Sequence, residues 1–315
     1  MNPTGGFVDS IAINRDISRV ATGERGGPIR VWSVGSDAEP ITLGERRQAV
    51  IDVAFSPDGA TLASLGRHGD GALSLWQPGF RGGPNAEIAA VPVGRCLALR
   101  FDGSGTRLGV MCETEVIVLD VASRHVIARV STPHPQHLTA FDLSADGAKI
   151  LTAGHEGDVA VWDAATATAT RRFSVSRSRR PGPLPRGLEP PEVWAVVVAL
   201  SPDGTRAAAV TIEGTVYAWD VATGAELISD AHPEASGPPN GSLRFGADGT
   251  LLAPMGDRRG MRVFDLSRKK SRVVASGLGA YHAVGISDDA SGFAAITSAL
   301  GSKKLVYSVE IWRVR

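Results

Sequence analysis

His134, His137 and His155 stand near one another in the middle of the chain, with Glu156 and Asp158 beside the last. Neutral imidazole and carboxylate are the ligand set that suits zinc or a similar divalent ion. The spacing matches no established metal signature, and loop histidines commonly serve as polar surface or strand-end partners, so neither metal nor cofactor is expected. A second concentration of chemistry is cationic. Arg171, Arg172, Arg177, Arg179, Arg180 and Arg186 face only Glu189 and Glu192 in a stretch punctuated by prolines. Such a segment suits docking to an acidic partner, to a phosphate or nucleic-acid backbone, or to a domain that reads proline-rich ligands. The plainer reading is a tolerated, disordered insertion.

Catalytic signatures do not emerge. The chain has no Gly-x-x-x-x-Gly-Lys-Ser/Thr loop, no His-Glu-x-x-His and no Gly-x-Ser-x-Gly. Ser267-Arg268-Lys269-Lys270 matches Ser-x-x-Lys by letter only and reads as solvated surface. Asn240-Gly241-Ser242 would accept a glycan only in a secreted protein. Two cysteines rule out a disulfide framework. If Phe101 faces Leu108 across a turn, Cys96 and Cys112 lie nearly opposite and could bond. In a reducing cytoplasm the expectation is two small buried hydrophobes.

The elements that must position these residues are short strands. Hydrophobic residues make up 43% and charged residues 21%, while 37 glycines and 19 prolines are scattered along the chain, as many strands and tight turns require. The 33 basic and 33 acidic side chains cancel, so no overall field draws the protein to nucleic acid or an anionic membrane. No apolar run approaches the ~20 residues that cross a bilayer, and Met1 to Ser10 lacks a signal pattern, so a cytoplasmic location is expected.

One compound pattern recurs seven times. An apolar strand ends in a turn like Phe55-Ser56-Pro57-Asp58-Gly59 or Leu200-Ser201-Pro202-Asp203-Gly204, and 18 to 26 residues after each apolar anchor comes an aromatic or apolar strand end such as Trp76-Gln77 or Trp219-Asp220. The anchors are Ile13, Phe55, Phe101, Leu143, Leu200, Phe245 and Ile286, and their partners Trp32, Trp76, Leu119, Trp162, Trp219, Phe264 and Trp312. Asp-Gly closes a tight hairpin because glycine accepts positive φ and aspartate bonds the turn's own amides. The first strand of each unit is apolar, as for a strand buried on both faces, whereas Ile29-Arg30-Val31-Trp32 and Val159-Ala160-Val161-Trp162 read as alternating, half-exposed third strands. Four-stranded units of about forty residues must stack on neighbours to bury their faces. Successive anchors are 41 to 46 residues apart except between Leu143 and Leu200, where the step is 57 and the basic segment 176–191 supplies the surplus.

On these turns and Trp-Asp endings the whole chain resembles the WD-repeat family. The resemblance implies an all-β, seven-bladed propeller of four-stranded antiparallel blades, a single domain with blades at about 7–44, 48–91, 94–131, 137–175, 193–230, 240–276 and 280–315. It implies a non-catalytic platform for protein or peptide partners, with no membrane partner and none expected among nucleic acids. In well-ordered blades of the family a histidine, a serine or threonine, an aspartate and the tryptophan form a hydrogen-bonded set. Here the aspartate position is Asp70 in the second blade but Glu156 and Glu213 in the fourth and fifth, and His134 is the closest fit for the histidine, so such networks should be sparse. Residues for partner binding are Arg177, Arg179, Arg180, Arg186, His134, His137 and His155.

Family propellers commonly close with an N-terminal outer strand, but counting back from Ile13 leaves only Met1 to supply it. A three-stranded last blade with a bare edge at Val309, Glu310, Ile311, Trp312 and Arg313 is therefore expected, open to a second copy, a partner strand or upstream residues. The alternatives to a scaffold are a propeller hydrolase resembling a lactonase, or a sensor module detached from a longer signalling protein.

Overall fold

The computed structural model describes residues 8–24, 28–36, 38–43, 49–66, 72–77, 87–92, 95–132, 138–175, 195–230, 242–254, 260–275, 281–286, 290, 292–300 and 305–314. The described secondary structure is 27 strands, with no helix among them, in seven antiparallel sheets. Blade 1 is β1 to β4 (Val8–Ile13, Arg19–Glu24, Ile29–Ser33, Ile41–Leu43), and blade 2 is β5 to β8 (Val50–Phe55, Leu62–Gly66, Ala72–Trp76, Glu87–Pro92). Blade 3 is β9 to β12 (Cys96–Phe101, Arg107–Cys112, Glu115–Asp120, Val126–Ser131), and blade 4 is β13 to β16 (Leu138–Leu143, Lys149–Gly154, Asp158–Asp163, Thr168–Ser174). Blade 5 is β17 to β20 (Ala195–Leu200, Arg206–Thr211, Val216–Asp220, Glu226–Asp230), and blade 6 is β21 to β24 (Arg244–Phe245, Leu251–Pro254, Met261–Asp265, Lys270–Ala275). Blade 7 is β25 to β27 (Tyr281–Ile286, Gly292–Leu300, Leu305–Arg313). In every blade the strands lie side by side in chain order.

The repeated turn is a small hydrogen-bonded device. In blade 2 the Ser56 hydroxyl donates to Asp58 at 2.5 Å, the Ala60 amide donates to the same carboxylate, and the Thr61 amide donates back to Ser56 Oγ. Blades 4 and 5 repeat it with Ser144 and Asp146, and with Ser201 and Asp203. Side chains thus satisfy turn amides that no strand can reach, which fixes the hairpin locally.

Seven apolar clusters hold the sheets together, and each bridges two neighbouring blades. Blades 1 and 2 meet through Ile29, Val53 and Trp76; blades 4 and 5 through Val161, Phe173 and Trp219; blades 6 and 7 through Met261, Ile286 and Phe293. The remaining pairs 2–3, 3–4 and 5–6 have their own clusters, and Ile13, Val20 and Trp32 pack on Ile311 to join blade 1 to blade 7. The ring therefore closes through side-chain packing.

Three expectations need correction or refinement. Third strands are more buried than expected: the central four residues of β11 and of β15 are all buried, because neighbouring blades cover both faces, while Arg30 in β3 and Arg262 in β23 are partly buried. Val159-Ala160-Val161-Trp162 therefore has no exposed face, and exposure falls instead on fourth strands such as β12 and β16. The family's hydrogen-bonded set survives in part, as Trp32, Trp76 and Trp162 donate to Thr22, Ser64 and Thr152. Trp219 pairs with Ala207, and Ala209 stands where blade 4 has Thr152, so the indole stacks on Phe173 and Tyr217 instead. Finally, Cys96 and Cys112 are not two thiols but one disulfide. A register shift skips Leu97, so Cys112 pairs directly with Cys96 where a regular ladder would set it against Leu97.

Among the described residues blade 7 has three strands. Residues 1–7, on which the ring-closure expectation turns, lie outside the described set.

Candidate functional site

The innermost strands β1, β5, β9, β13, β17, β21 and β25 surround the propeller axis. The residues just before their apolar anchors are Ala12, Ala54, Arg100, Asp142, Ala199, Arg244 and Gly285. Small side chains leave room near the axis, and three charged ones enter it, joined by Asp52 from lower on β5.

These charges divide the work unequally. Asp52 accepts the Val53 amide at 3.0 Å and, from the next blade, the Leu99 amide at 2.9 Å. Asp142 likewise accepts the Leu200 amide of the next blade at 2.9 Å. Each carboxylate thus ties one innermost strand to the next. Arg100 approaches Asp52 at 3.8 Å. Arg244 of blade 6 reaches past blade 5 to 3.5 Å from Asp142 of blade 4. Burial pushes the Asp52 carboxyl above its ordinary value, against the pull of Arg100 and the two amides.

Two adjoining recesses open here and share Phe101 and Arg244. One, of about 70 Å³, lies under the turn residues Gly103, Ala145 and Pro202 and is lined by Asp142 and Arg244. The other, of about 30 Å³, is lined by Arg100, Arg244, Ser242 and apolar residues of blades 1, 2, 3 and 7.

Around this mouth the turn face is latched from blade to blade. Arg107 donates to the Gly147 carbonyl at 2.9 Å, Lys149 to Gly204 at 2.9 Å and Arg206 to Gly249 at 3.3 Å, linking blades 3, 4, 5 and 6 in series. Further out, Arg171 Nε donates to the Val221 carbonyl at 3.0 Å and Arg262 pairs with Asp230 at 2.8 Å. The sequence carried signals for both sets: a charge just before the anchor of an otherwise apolar strand, and a cation two residues after the turn glycine in Gly105-Thr106-Arg107, Gly147-Ala148-Lys149 and Gly204-Thr205-Arg206.

Arg177, Arg179, Arg180, Arg186, His134 and His137 fall outside the described residues. His155 is half-buried in the turn between β14 and β15, at a distance in sequence from the charged channel residues. Among the described residues no three His, Cys, Asp or Glu side chains are grouped to hold a metal ion. Val309 to Arg313 form the second half of β27, paired to β26, with Trp312 stacked on Phe293 at 4.9 Å. No described helix is long and apolar enough to cross a membrane.

Comparison with known proteins agrees with this geometry. The model of the WD domain, G-beta repeat, matches residues 40–77, which span the last strand of blade 1 and the first three of blade 2. Transducin beta-like protein 3 of Bos taurus is 28% identical over 123 residues, 39% of this chain and 14% of that protein. Coronin-7 of Homo sapiens is 29% identical over 101 residues, 28% of this chain and 11% of that protein. The matched stretch thus spans a small part of either relative. A matched repeat, seven sheets in register with the turn and tryptophan pattern, and Trp-to-hydroxyl bonds in three blades together bear out the resemblance to the WD-repeat family.

Proposed function

We propose that this propeller is a non-catalytic scaffold in the cytoplasm that holds protein or peptide partners. The observation that carries the reading is the latched turn face, where Arg107, Lys149 and Arg206 each clamp the turn of the next blade. Turns locked by their own side chains and by their neighbours lose little further freedom on binding, which is what a platform needs. In this reading Arg177, Arg179, Arg180 and Arg186 of the basic segment 176–191 are partner contacts, and His134, His137 and His155 contribute polar contacts.

Affinity capture from the native host, with the full chain and with 176–191 deleted, tests both parts. A captured protein should re-form a binary complex with the purified propeller, and serine at the four arginines should weaken that complex and flatten its salt dependence. Binding unchanged at low and high salt would remove the segment from the interface. Failure of every captured protein to bind the purified chain directly would end the scaffold reading.

A further inference from the structure

We infer that the outer edge of blade 6 docks an acidic, extended segment of a partner protein, which adds to β24 as a further strand. The inference rests on the scaffold reading and gives it a place and a class of partner. The run Ser267-Arg268-Lys269-Lys270-Ser271-Arg272-Val273, which reads from sequence as solvated surface, is exposed at every position. Four of its residues are cations, on a chain whose 33 basic and 33 acidic side chains cancel. The excess of charge is therefore local to this edge.

The acid that begins the turn, Asp265, is committed to it. One oxygen accepts the Ser267 amide and hydroxyl and the Arg268 amide, and the other faces the Arg268 guanidinium at 3.4 Å. Among the described residues neither Lys269 nor Lys270 has a hydrogen-bond or ion-pair partner on its side chain. Cations on the other described outer strands are engaged. Arg129 of β12 pairs with Glu115, Arg171 of β16 donates to the Val221 and Ala222 carbonyls, and Arg172 lies over the Trp162 ring.

The edge itself selects a peptide over other polyanions. β24 is the last strand of its sheet, so its outer row of amides and carbonyls has no described strand beside it. Only another backbone matches such a row, and the six residues of β24, at ~3.3 Å each, offer roughly 20 Å of it. In the ladder Lys270 and Arg272 share a face with Asp265 and Val263, whereas Ser271 and Val273 share the other with Phe264 and Arg262. Val273 is 47% exposed. A strand with acidic side chains on one face and β-branched ones on the other therefore meets charge with charge and covers the valine. Lysine at an edge deters pairing with a like strand, and the same charge admits an acidic one.

Fluorescence anisotropy of the full chain with a labelled peptide, Glu-Val-Glu-Thr-Glu-Val capped at both ends, tests this. Saturable one-to-one binding that weakens with salt is expected, with no binding of Lys-Val-Lys-Thr-Lys-Val. Methylating the backbone nitrogens of the acidic peptide should abolish binding, because the charge stays while the strand ladder is lost. Lys270→Gln and Lys269→Gly should each weaken binding about two- to fivefold, the scale of an exposed ion pair, and the exposed Arg129→Gln should not. Lys269 has φ +51°, the left-handed conformation that Gly224 holds in the corresponding turn of blade 5, so glycine there removes the charge and keeps the turn. The inference falls if the acidic peptide does not saturate the chain, if its methylated form binds as tightly, or if the Lys269→Gly, Lys270→Gln double variant binds as the parent does. It falls also if an oligothymidylate of equal charge binds more tightly than the peptide, which would assign the edge to nucleic acid. None of these outcomes bears on direct binding of a captured protein to the purified chain, which tests the scaffold reading separately.

Discussion

Asp142 uses its two oxygens for two tasks, accepting the Leu200 amide with one and facing Arg244 with the other. Removing the carboxylate both orphans a buried amide and takes the countercharge from a mostly buried guanidinium. Asp142→Ala should therefore cost about 3 kcal/mol in urea unfolding, in the range of broken buried pairs. Arg244→Ala in the same chain should recover part of that loss, because it removes the uncompensated charge; strictly additive losses would show that the two do not interact. Gly147 is a second single-residue constraint. Its φ is +61°, and a Cβ there would lie 2.5 Å from Arg107 Cδ, the stem of an inter-blade latch. Gly147→Ala should cost at least the ~1–2 kcal/mol of a left-handed alanine. Chemical denaturation that shows no loss would mean that the turn and the latch relax freely.

The hairpin turns give the molecule its acid sensitivity. Asp58 and Asp146 are held below the ordinary carboxylate value first by the hydroxyls of Ser56 and Ser144 and then by the amides of Ala60 and Ala148. In the turns after third strands, Asp163 and Asp220 are lowered first by the amides of Thr166 and Thr223, then by the hydroxyls of the same residues. A carboxyl whose folded pKa is depressed contributes stability above its unfolded pKa and loses it as pH falls through the folded one. The urea midpoint should accordingly decline steadily as pH falls below the ordinary value of 3.8, and a flat profile from there to pH 2 would contradict the assignment, while above that value the raised Asp52 carboxyl acts in the opposite sense. The β9–β10 hairpin carries a covalent tie as well. The Cys96–Cys112 bond spans 16 residues, and chain-entropy reasoning gives about 3 kcal/mol for a loop of that length. Both cysteines also sit in the apolar cluster between blades 2 and 3. Reduction should therefore lower the urea midpoint while the strand circular dichroism persists; loss of the strand signal on reduction would make the bond a condition of folding.

At the scale of the whole ring, stability rests on the interface between first and last blades. Gly292 opens β26 there, and a Cβ in its place would lie 2.3 Å from Ile17 Cδ1 and 2.7 Å from the Trp312 carbonyl oxygen. One neighbour is backbone and cannot swing aside. Gly292→Val should cost about 1–3 kcal/mol, as overpacking generally does, and should do so by prising blade 7 from blade 1. Limited proteolysis should then cut first at the chain ends; cleavage confined to the middle blades would show that closure is not the weak seam.

The repeat was legible in the sequence because each blade is specified by local physics. A turn such as Ser56-Pro57-Asp58-Gly59 closes its hairpin with its own atoms, and apolar runs such as Val53-Ala54-Phe55 need only a partner of the same kind on either side. Seven sheets in chain order follow from that. Local pattern could not show that Val159-Ala160-Val161-Trp162 is buried on both faces, because burial on the second face comes from a neighbouring blade. Nor could it show that Leu97 is skipped in the ladder, which alone brings Cys96 opposite Cys112. The sequence marks the charges of the channel mouth, but which of them meet belongs to the tertiary structure. Asp142 and Arg244 are about a hundred residues apart and two blades removed, and they meet only because the ring turns both strands toward one axis.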